Sequence, residues 1–236
     1  TINAAANTGA GVLTIAAGEN DNNLTITGST TAAADLTATT GDGNDTFNTG
    51  NAANTNVLTG GAGNNTFNIN SAATDNTISD LKGSDVLVLD ADGDVVATVT
   101  ADWTATSATT NSSSLVDGTI TVGNGFDVLL QGATGTTTGF TVTATGNVAA
   151  STLTGSDQAD SITGGAGNDS LTGGDGADIL TGGLVVDTIK GGAGNDTVKY
   201  LATAVPGASV VDGGAGTNDM DLAAQTAAMD FSGATV

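Results

Sequence analysis

Cysteine and histidine are absent from this 236-residue chain, proline occurs once, and only Lys82, Lys190 and Lys199 are cationic. Each absence removes a class of function. Without His or Cys there is no Ser-His-Asp triad, no cysteine nucleophile and no ordinary zinc site. Three lysines cannot build the basic patch that a nucleic acid partner needs. No apolar run approaches membrane-spanning length, so membrane insertion is not expected. In an extracellular chain without cysteine, something other than disulfides must staple the fold. The chain opens on Thr1 rather than Met and shows no leader, as expected of a piece excised from a larger protein.

What is present points one way. Glycine occurs 36 times, and Glu19 is the single glutamate among the acids, the rest being aspartate. Aspartate favours turns and caps where glutamate favours helix interiors. Abundant Thr, Val and Ile among Gly, Asn and Asp read as short strands joined by turns, with little helix. The formal net charge is −22, and like charge on that scale self-repels. Such an excess often keeps a chain disordered. Here the acids alternate regularly with aliphatic residues, so a multivalent cation is the better solution.

From Gly146 six consecutive nonapeptides run to Lys199: GNVAASTLT, GSDQADSIT, GGAGNDSLT, GGDGADILT, GGLVVDTIK and GGAGNDTVK. Position eight is always aliphatic: Leu153, Ile162, Leu171, Leu180, Ile189 and Val198. Position six is aspartate in the last five: Asp160, Asp169, Asp178, Asp187 and Asp196. Positions seven to nine predict a very short strand with its central side chain inward. Positions one to six predict a turn, where glycine permits positive φ and close backbone approach. Two nonapeptides make one coil, so aspartates two repeats apart stack. One edge then carries Asp160, Asp178 and Asp196, and the other Asp169 and Asp187. Carboxylates on coils about 4.8 Å apart repel by roughly 1 kcal/mol in water and more at lower dielectric. One aliphatic residue per repeat, worth about 1.5–3 kcal/mol when buried, does not offset about 1–2 kcal/mol of backbone entropy per ordered residue. A metal-free roll is therefore not expected to hold. Calcium suits the turns, because it takes six to eight oxygens from carboxylates and carbonyls.

These phased copies resemble the calcium-binding repeat of RTX proteins, GGxGxDxUx with U aliphatic. The resemblance implies an all-β fold: a right-handed parallel β-roll or β-solenoid with calcium-binding turns, here interrupted by a small β module. It also implies the ligands: carbonyls at positions two and four and the aspartate of one turn, with carbonyls at positions one and three and the aspartate of the stacked turn. One ion would use Gly165, Gly167, Asp169, Gly182, Leu184 and Asp187. A second would use Gly174, Gly176, Asp178, Gly191, Ala193 and Asp196. A third would use Ser156, Gln158, Asp160, Gly173, Asp175 and Asp178. Gln158 and Val185 stand where glycine is usual and Ser151 where aspartate is, which weakens those turns.

Upstream the pattern loosens. TGDGNDTFN (40–48) and GGAGNNTFN (60–68) share an ending, and Asp45 matches Asn65, a candidate calcium pair. GENDNNLTI (18–26) is a relative with Asn22 at the acidic position. Glu19 and Asp21 read as solvated turn acids. Leu13, Leu24, Leu36, Phe47, Leu58 and Phe67 recur at irregular spacing, as in a solenoid with variable turns. TISDLKGSDVLVLD (77–90) resembles the strand–turn–strand module that often follows RTX repeats. DADGD (90–94) looks like part of an EF-hand loop without its closing glutamate, and reads better as a hairpin turn. Trp103 reads as a core anchor, 104–118 as a loop and GTITVGNGFDVLLQG (118–132) as a hairpin. YLATAVPGASVVD (200–212) reads as an inserted loop. GGAGTND (213–219) is a degraded repeat that could stack on the turn of Asp187 with Asn218 or Asp219 as ligand, and the last residues read as a strand or cap. The expected division is 1–73, irregular solenoid; 74–145, strand module; 146–236, roll and cap.

The RTX resemblance implies export by a type I system and folding outside the cell, where calcium is plentiful. Composition is similar to that of calcium-dependent surface-layer proteins of Gram-negative bacteria. That reading expects copies of the chain in a lattice as partners, with cell-surface polysaccharide as a further one, and no enzyme activity. A long adhesin, including ice-binding types, is the alternative. Its Thr-x-Thr stretches (Thr25/Thr27, Thr37/Thr39, Thr141/Thr143) do not look evenly phased. A roll domain of a secreted enzyme or toxin lacking its catalytic part is a third reading.

Overall fold

The computed structural model describes residues 1–3, 11–18, 22–30, 34–50, 54–70, 76–90, 94–112, 118–134, 138–199 and 209–221. Among them there are strands and turns and no helix, as the Thr, Val, Gly and Asp content dictates. In chain order the first strands are β1 (Ile2–Asn3), β2 (Gly11–Ala16), β3 (Thr25–Thr27), β4 (Ala34–Thr39), β5 (Thr46–Asn48), β6 (Asn56–Thr59), β7 (Thr66–Ile69), β8 (Asn76–Gly83), β9 (Val86–Leu89), β10 (Val95–Thr104) and β11 (Thr110–Asn111). Then come β12 (Gly118–Val122), β13 (Val128–Leu129), β14 (Thr141–Thr143), β15 (Thr152–Thr154), β16 (Ser161–Thr163), β17 (Ser170–Asp175), β18 (Ile179–Thr181), β19 (Thr188–Ala193), β20 (Thr197–Lys199), β21 (Val210–Asp212) and β22 (Asp219–Asp221).

Each of these strands pairs in parallel with a strand one coil away, not with its neighbour in sequence. The result is a β-solenoid of about nine turns. Through β11 the odd strands form one sheet, and the even strands β2 to β10 lie in the other. Thr46 faces Thr66, and Leu36 faces Asn56, so these coils hold twenty residues. From Thr152 the coil tightens to eighteen: Thr152 faces Ser170, and Ser161 faces Ile179, which faces Thr197. The two regions meet at β10. Its Val95–Val99 half pairs with β12 and its Trp103–Thr104 end with β13, so one strand starts both downstream ladders.

The core changes with coil length. In the tight coils the position-eight side chains Leu153, Ile162, Leu171, Leu180, Ile189 and Val198 are fully buried, one per strand. The upstream coils are filled by bulkier groups. Phe47 and Phe67 stack with ring centres 5.0 Å apart and planes 7° from parallel. Trp103 is buried and its Nε1 donates to the Asp85 carbonyl at 2.9 Å, so it is the anchor its isolation in the sequence predicts.

Several local expectations are corrected. Residues 118–132 are not a hairpin: β12 and β13 do not pair with each other, and GNG turns a coil corner between strands that each find partners in β10 and the next coil. Likewise β8 and β9, on either side of the 83–85 turn, lie in different sheets, as do β9 and β10 on either side of DADGD. They are successive faces of coils, though residues 91–93 themselves lie outside the described residues. The 104–118 stretch contributes β11, which pairs with β9. Leu24 is half-buried, and Ile26 takes the inward place. Strand pairing runs without interruption from β6 through β8, β10, β12 and β14. Glu19, Asp21, residues 200–208 and residues 222–236 lie outside the described residues.

Candidate metal centre

The roll turns are built so that backbone meets backbone. Gly192 has φ of 114°, and a side chain there would strike the Gly174 carbonyl of the stacked turn. The first glycine of each turn faces the aspartate of the same turn. A Cβ on Gly182 would lie 2.5 Å from Asp187 Oδ2, and one on Gly164 2.6 Å from Asp169 Oδ2. Only glycine leaves that cradle open.

The aspartates stack as their spacing predicts, with a division of labour between their oxygens. On one edge Asp160 N–H donates to Asp178 Oδ1 at 2.8 Å and Asp178 N–H to Asp196 Oδ1 at 2.9 Å. On the other, Ser151 N–H donates to Asp169 Oδ1 and Asp169 N–H to Asp187 Oδ1, both at 2.9 Å. Every Oδ1 thus ties one coil to the next. The second oxygens differ. Asp160 Oδ2 accepts from Ser156 N–H at 2.6 Å and Ser156 Oγ at 3.0 Å, and Asp169 Oδ2 accepts from Gly165 N–H at 2.7 Å. Asp178, Asp187 and Asp196 are each 1% exposed, and their Oδ2 atoms have no protein donor.

Burial pushes Asp178 up to about 7, with the stacked Asp160 and Asp196 charges adding to the shift and the Asp160 N–H opposing it. Asp187 is likewise pushed up to about 7 by burial, against the Asp169 N–H that lowers it and with the Asp169 charge adding to the rise. Burial also raises Asp160. A buried carboxylate oxygen without a donor is costly unless a cation meets it. Lys190 and Lys199 are exposed. Among the described residues no three acidic side chains converge on one point. A cation here therefore draws most of its ligands from carbonyls, which suits calcium.

The fold brings the three resemblance-derived groups to stacked turns. Gly165, Gly167 and Asp169 lie against Gly182, Leu184 and Asp187, with the Leu184 N–H donating to the Gly165 carbonyl at 3.3 Å. Gly174, Gly176 and Asp178 lie against Gly191, Ala193 and Asp196, with the Gly176 N–H donating to the Ala193 carbonyl at 2.8 Å. Each of those carbonyls keeps a second lone pair. Ser156, Gln158 and Asp160 lie against Gly173, Asp175 and Asp178, but there Asp160 already has donors for both oxygens. The second group is the only one whose two carboxylates both keep an unpartnered oxygen.

Upstream, Leu24 N–H donates to Asp45 Oδ1 at 2.7 Å and Asp45 N–H to Asn65 Oδ1 at 3.0 Å. Leu24, not Asn22, is therefore the residue in register with Asp45. Asp45 Oδ2 and Asn65 Nδ2 are both buried without partners. The degraded repeat at 213–219 stacks on the turn of Asp196, whose N–H donates to Asn218 Oδ1 at 2.9 Å. It does not stack on Asp187, which meets Ser209 Oγ at 3.3 Å. The reason is a coil lengthened to twenty-two residues, with Thr188 facing Val210. Asp219 begins β22 and is exposed.

One further member of the Asp45 column and two acids outside the columns were not singled out by the sequence. Asp85 Oδ1 accepts the Asn65 N–H at 2.7 Å, and burial pushes this carboxyl up to about 6. Outside the columns and with the opposite polarity, a later coil's N–H meeting an earlier coil's acid, Asp127 Oδ1 accepts the Thr152 N–H at 2.6 Å, and Asp102 Oδ1 the Asp127 N–H at 3.0 Å. The available signal was GNGFD at 123–127, a Gly-x-Gly-x-Asp turn one residue short of the repeat.

The family model of the RTX calcium-binding nonapeptide repeat matches four copies, over residues 52–68, 154–185 and 181–199. No curated protein and no solved structure matches the chain. RTX repeat proteins are typically exported by type I secretion. With the stacked aspartates and open glycine cradles already in place, the matches make residues 154–199 calcium-binding RTX repeats, whereas the match over 52–68 covers one turn with Asn65 in the place of the aspartate.

Proposed function

We propose that the chain is a structural segment of a bacterial surface layer, rigidified by calcium and assembling with copies of itself outside the cell. The observation that carries this reading is a net charge of −22 on a continuous stack of coils. Divalent ions that neutralise buried turn acids within one chain are equally able to bridge exposed acids between chains. Cell-surface polysaccharide is a second partner consistent with a Thr- and Asn-rich exterior. Within each chain, the ions sit in the turns set out above: between Asp178 and Asp196, between Asp169 and Asp187, and more weakly at Asp160.

Electron microscopy of the whole chain tests the reading. In calcium, sheets or tubes should form and should dissolve in chelator. Monodisperse rods in calcium at every concentration would contradict it.

A large adhesin is the second reading, and one observation favours it. On one face Thr119/Thr121 lie in register with Thr141/Thr143, which face Ser161/Thr163. Rods that bind a surface without forming sheets are the outcome expected of an adhesin.

A further inference from the structure

Among the described residues between 34 and 112, Asp45 is the one buried carboxylate with an unpartnered oxygen, and the other places held by unpartnered carboxylates downstream are filled by amides, satisfied acids and a lysine. In the Asp45 column the next coil offers Asn65 and the one after it Asp85. The N–H that Asn65 Oδ1 accepts fixes its amide, so Nδ2 stands where the roll aspartates place Oδ2. A Cβ on Gly60 would lie 2.6 Å from Asn65 Nδ2, as one on Gly164 would from Asp169 Oδ2. Asp45 Oδ2 and Asn65 Nδ2 are thus an orphaned acceptor and an orphaned donor on stacked turns, a pair that suits a bridging water rather than a cation. Asp85 needs neither, because its Oδ2 accepts the Lys82 N–H at 3.0 Å.

The other edge is also neutral. Buried Asn56 Nδ2 donates to Asn76 Oδ1 at 2.6 Å, and Asn76 Nδ2 to the Asp94 carbonyl at 3.0 Å. Back on the edge of Asn65, whose turn begins at Gly60, Asp80 accepts the Gly60 and Gly61 N–H groups at 2.8 and 2.7 Å. Its counter-ion is built into the chain: Lys82 Nζ lies 3.1 Å from Asp80 Oδ2, the one ion pair among the described residues. The aromatic and branched core of these coils adds burial that the roll, with one aliphatic residue per repeat, lacks.

The metal columns downstream are bounded by neutral groups as well. Ser151 lies below Asp169, Ser209 Oγ meets Asp187, and Asn218 meets Asp196 while its Nδ2 turns to the Gly214 carbonyl at 3.4 Å. Between the two regions stands β10, which pairs with β8 on one side and starts both downstream ladders on the other.

We propose that the calcium requirement is polarised along the solenoid: the coils from 34 to 112 close without metal, and β10 is the preformed template onto which calcium adds the coils of 152–199. This rests on the calcium reading of the downstream turns. Parallel pairing of distant strands is slow to nucleate because loop closure precedes any reward. A template that is already folded removes that step for the roll, leaving only coil-by-coil addition.

Hydrogen exchange on the whole chain, in calcium and in excess chelator, tests it. Peptides covering 56–69, 76–89 and 95–104 should be equally protected in both. Peptides covering 161–163, 170–175 and 188–193 should lose protection at least tenfold in chelator. Joint loss in both sets would overturn the polarity while leaving calcium-driven folding intact, and loss in neither would overturn both. Asn65→Asp supplies an independent arm. It puts a carboxylate oxygen where Nδ2 stands, so protection of 56–69 should become calcium-dependent. Unchanged protection of that segment in chelator would overturn the role given to the amide.

Discussion

Asp178, Asp187 and Asp196 each use one oxygen to hold the neighbouring coil and leave the other open to a cation. Asparagine can do the first task and not the second, which separates them experimentally. Asp178→Asn keeps the Oδ1 bond to the Asp160 N–H and removes a ligand oxygen shared by two stacked turns. With hydrogen bonds and contacts to charged groups worth about 1.5–3 kcal/mol, the calcium midpoint for folding of 146–199 should rise about 10- to 100-fold. Asp175→Asn alters an exposed side chain whose residue would contribute only a carbonyl, and should leave the midpoint in place. Equal effects of the two changes, measured by circular dichroism at a series of calcium concentrations, would count against the division of labour. The same residues set the pH response. In the metal-free fold Asp178 and Asp187 hold their protons up to about 7, whereas the unfolded chain releases them near 3.8. Metal-free stability is then greatest below about pH 4 and is lost as pH rises towards about 7. Calcium must displace those protons, so its midpoint should rise steadily as pH falls from about 8 to about 5. A midpoint independent of pH over that range would show that these carboxylates are not ligands.

At the scale of strands, β10 and the roll strands carry different loads. Leu171→Ala empties a fully buried position in a thin core and should cost about 2–5 kcal/mol, confined to the roll. Trp103→Ala removes the largest buried side chain and its bond to the Asp85 carbonyl. It should cost about 3–5 kcal/mol and lower the thermal midpoint in calcium and in chelator alike. A Trp103→Ala chain that melts normally in chelator would contradict the role of β10. Strand triplets such as SIT at 161–163 and ILT at 179–181 were legible because six phased copies fix strand, turn and inward side chain together. The supposed hairpin at 118–132 was misread for a physical reason. Two alternating segments around GNG look the same whether they pair with each other or with strands about twenty residues away, and pairing is not a local property. The stacking partner of Asn218 was missed because coil length, not repeat phase, sets register once residues are inserted. The aspartate columns could be read from the spacing, but which oxygens remain unpartnered, and the reversed polarity of Asn65, required the geometry.

At the scale of the molecule, a chain of net charge −22 stays folded by treating its acids in two ways. Upstream they are few in the buried columns and are met by backbone N–H groups or Lys82, with only Asp45 Oδ2 left without a protein donor among the described residues. Downstream they are stacked on successive coils, and the fold supplies glycine cradles and carbonyls for an ion instead of a protein donor. On the proposed reading, a chain loose where calcium is scarce and stiff where it is plentiful suits export followed by assembly outside the cell. The most direct measurement is far-ultraviolet circular dichroism of the whole chain, titrated with calcium from excess chelator at pH 8. A saturable, cooperative gain of β signal is expected, one that an Asp178→Asn/Asp187→Asn/Asp196→Asn chain fails to reach at the same calcium concentration. An identical β spectrum in chelator and in saturating calcium would contradict the central claim that buried turn carboxylates make folding of the roll depend on calcium.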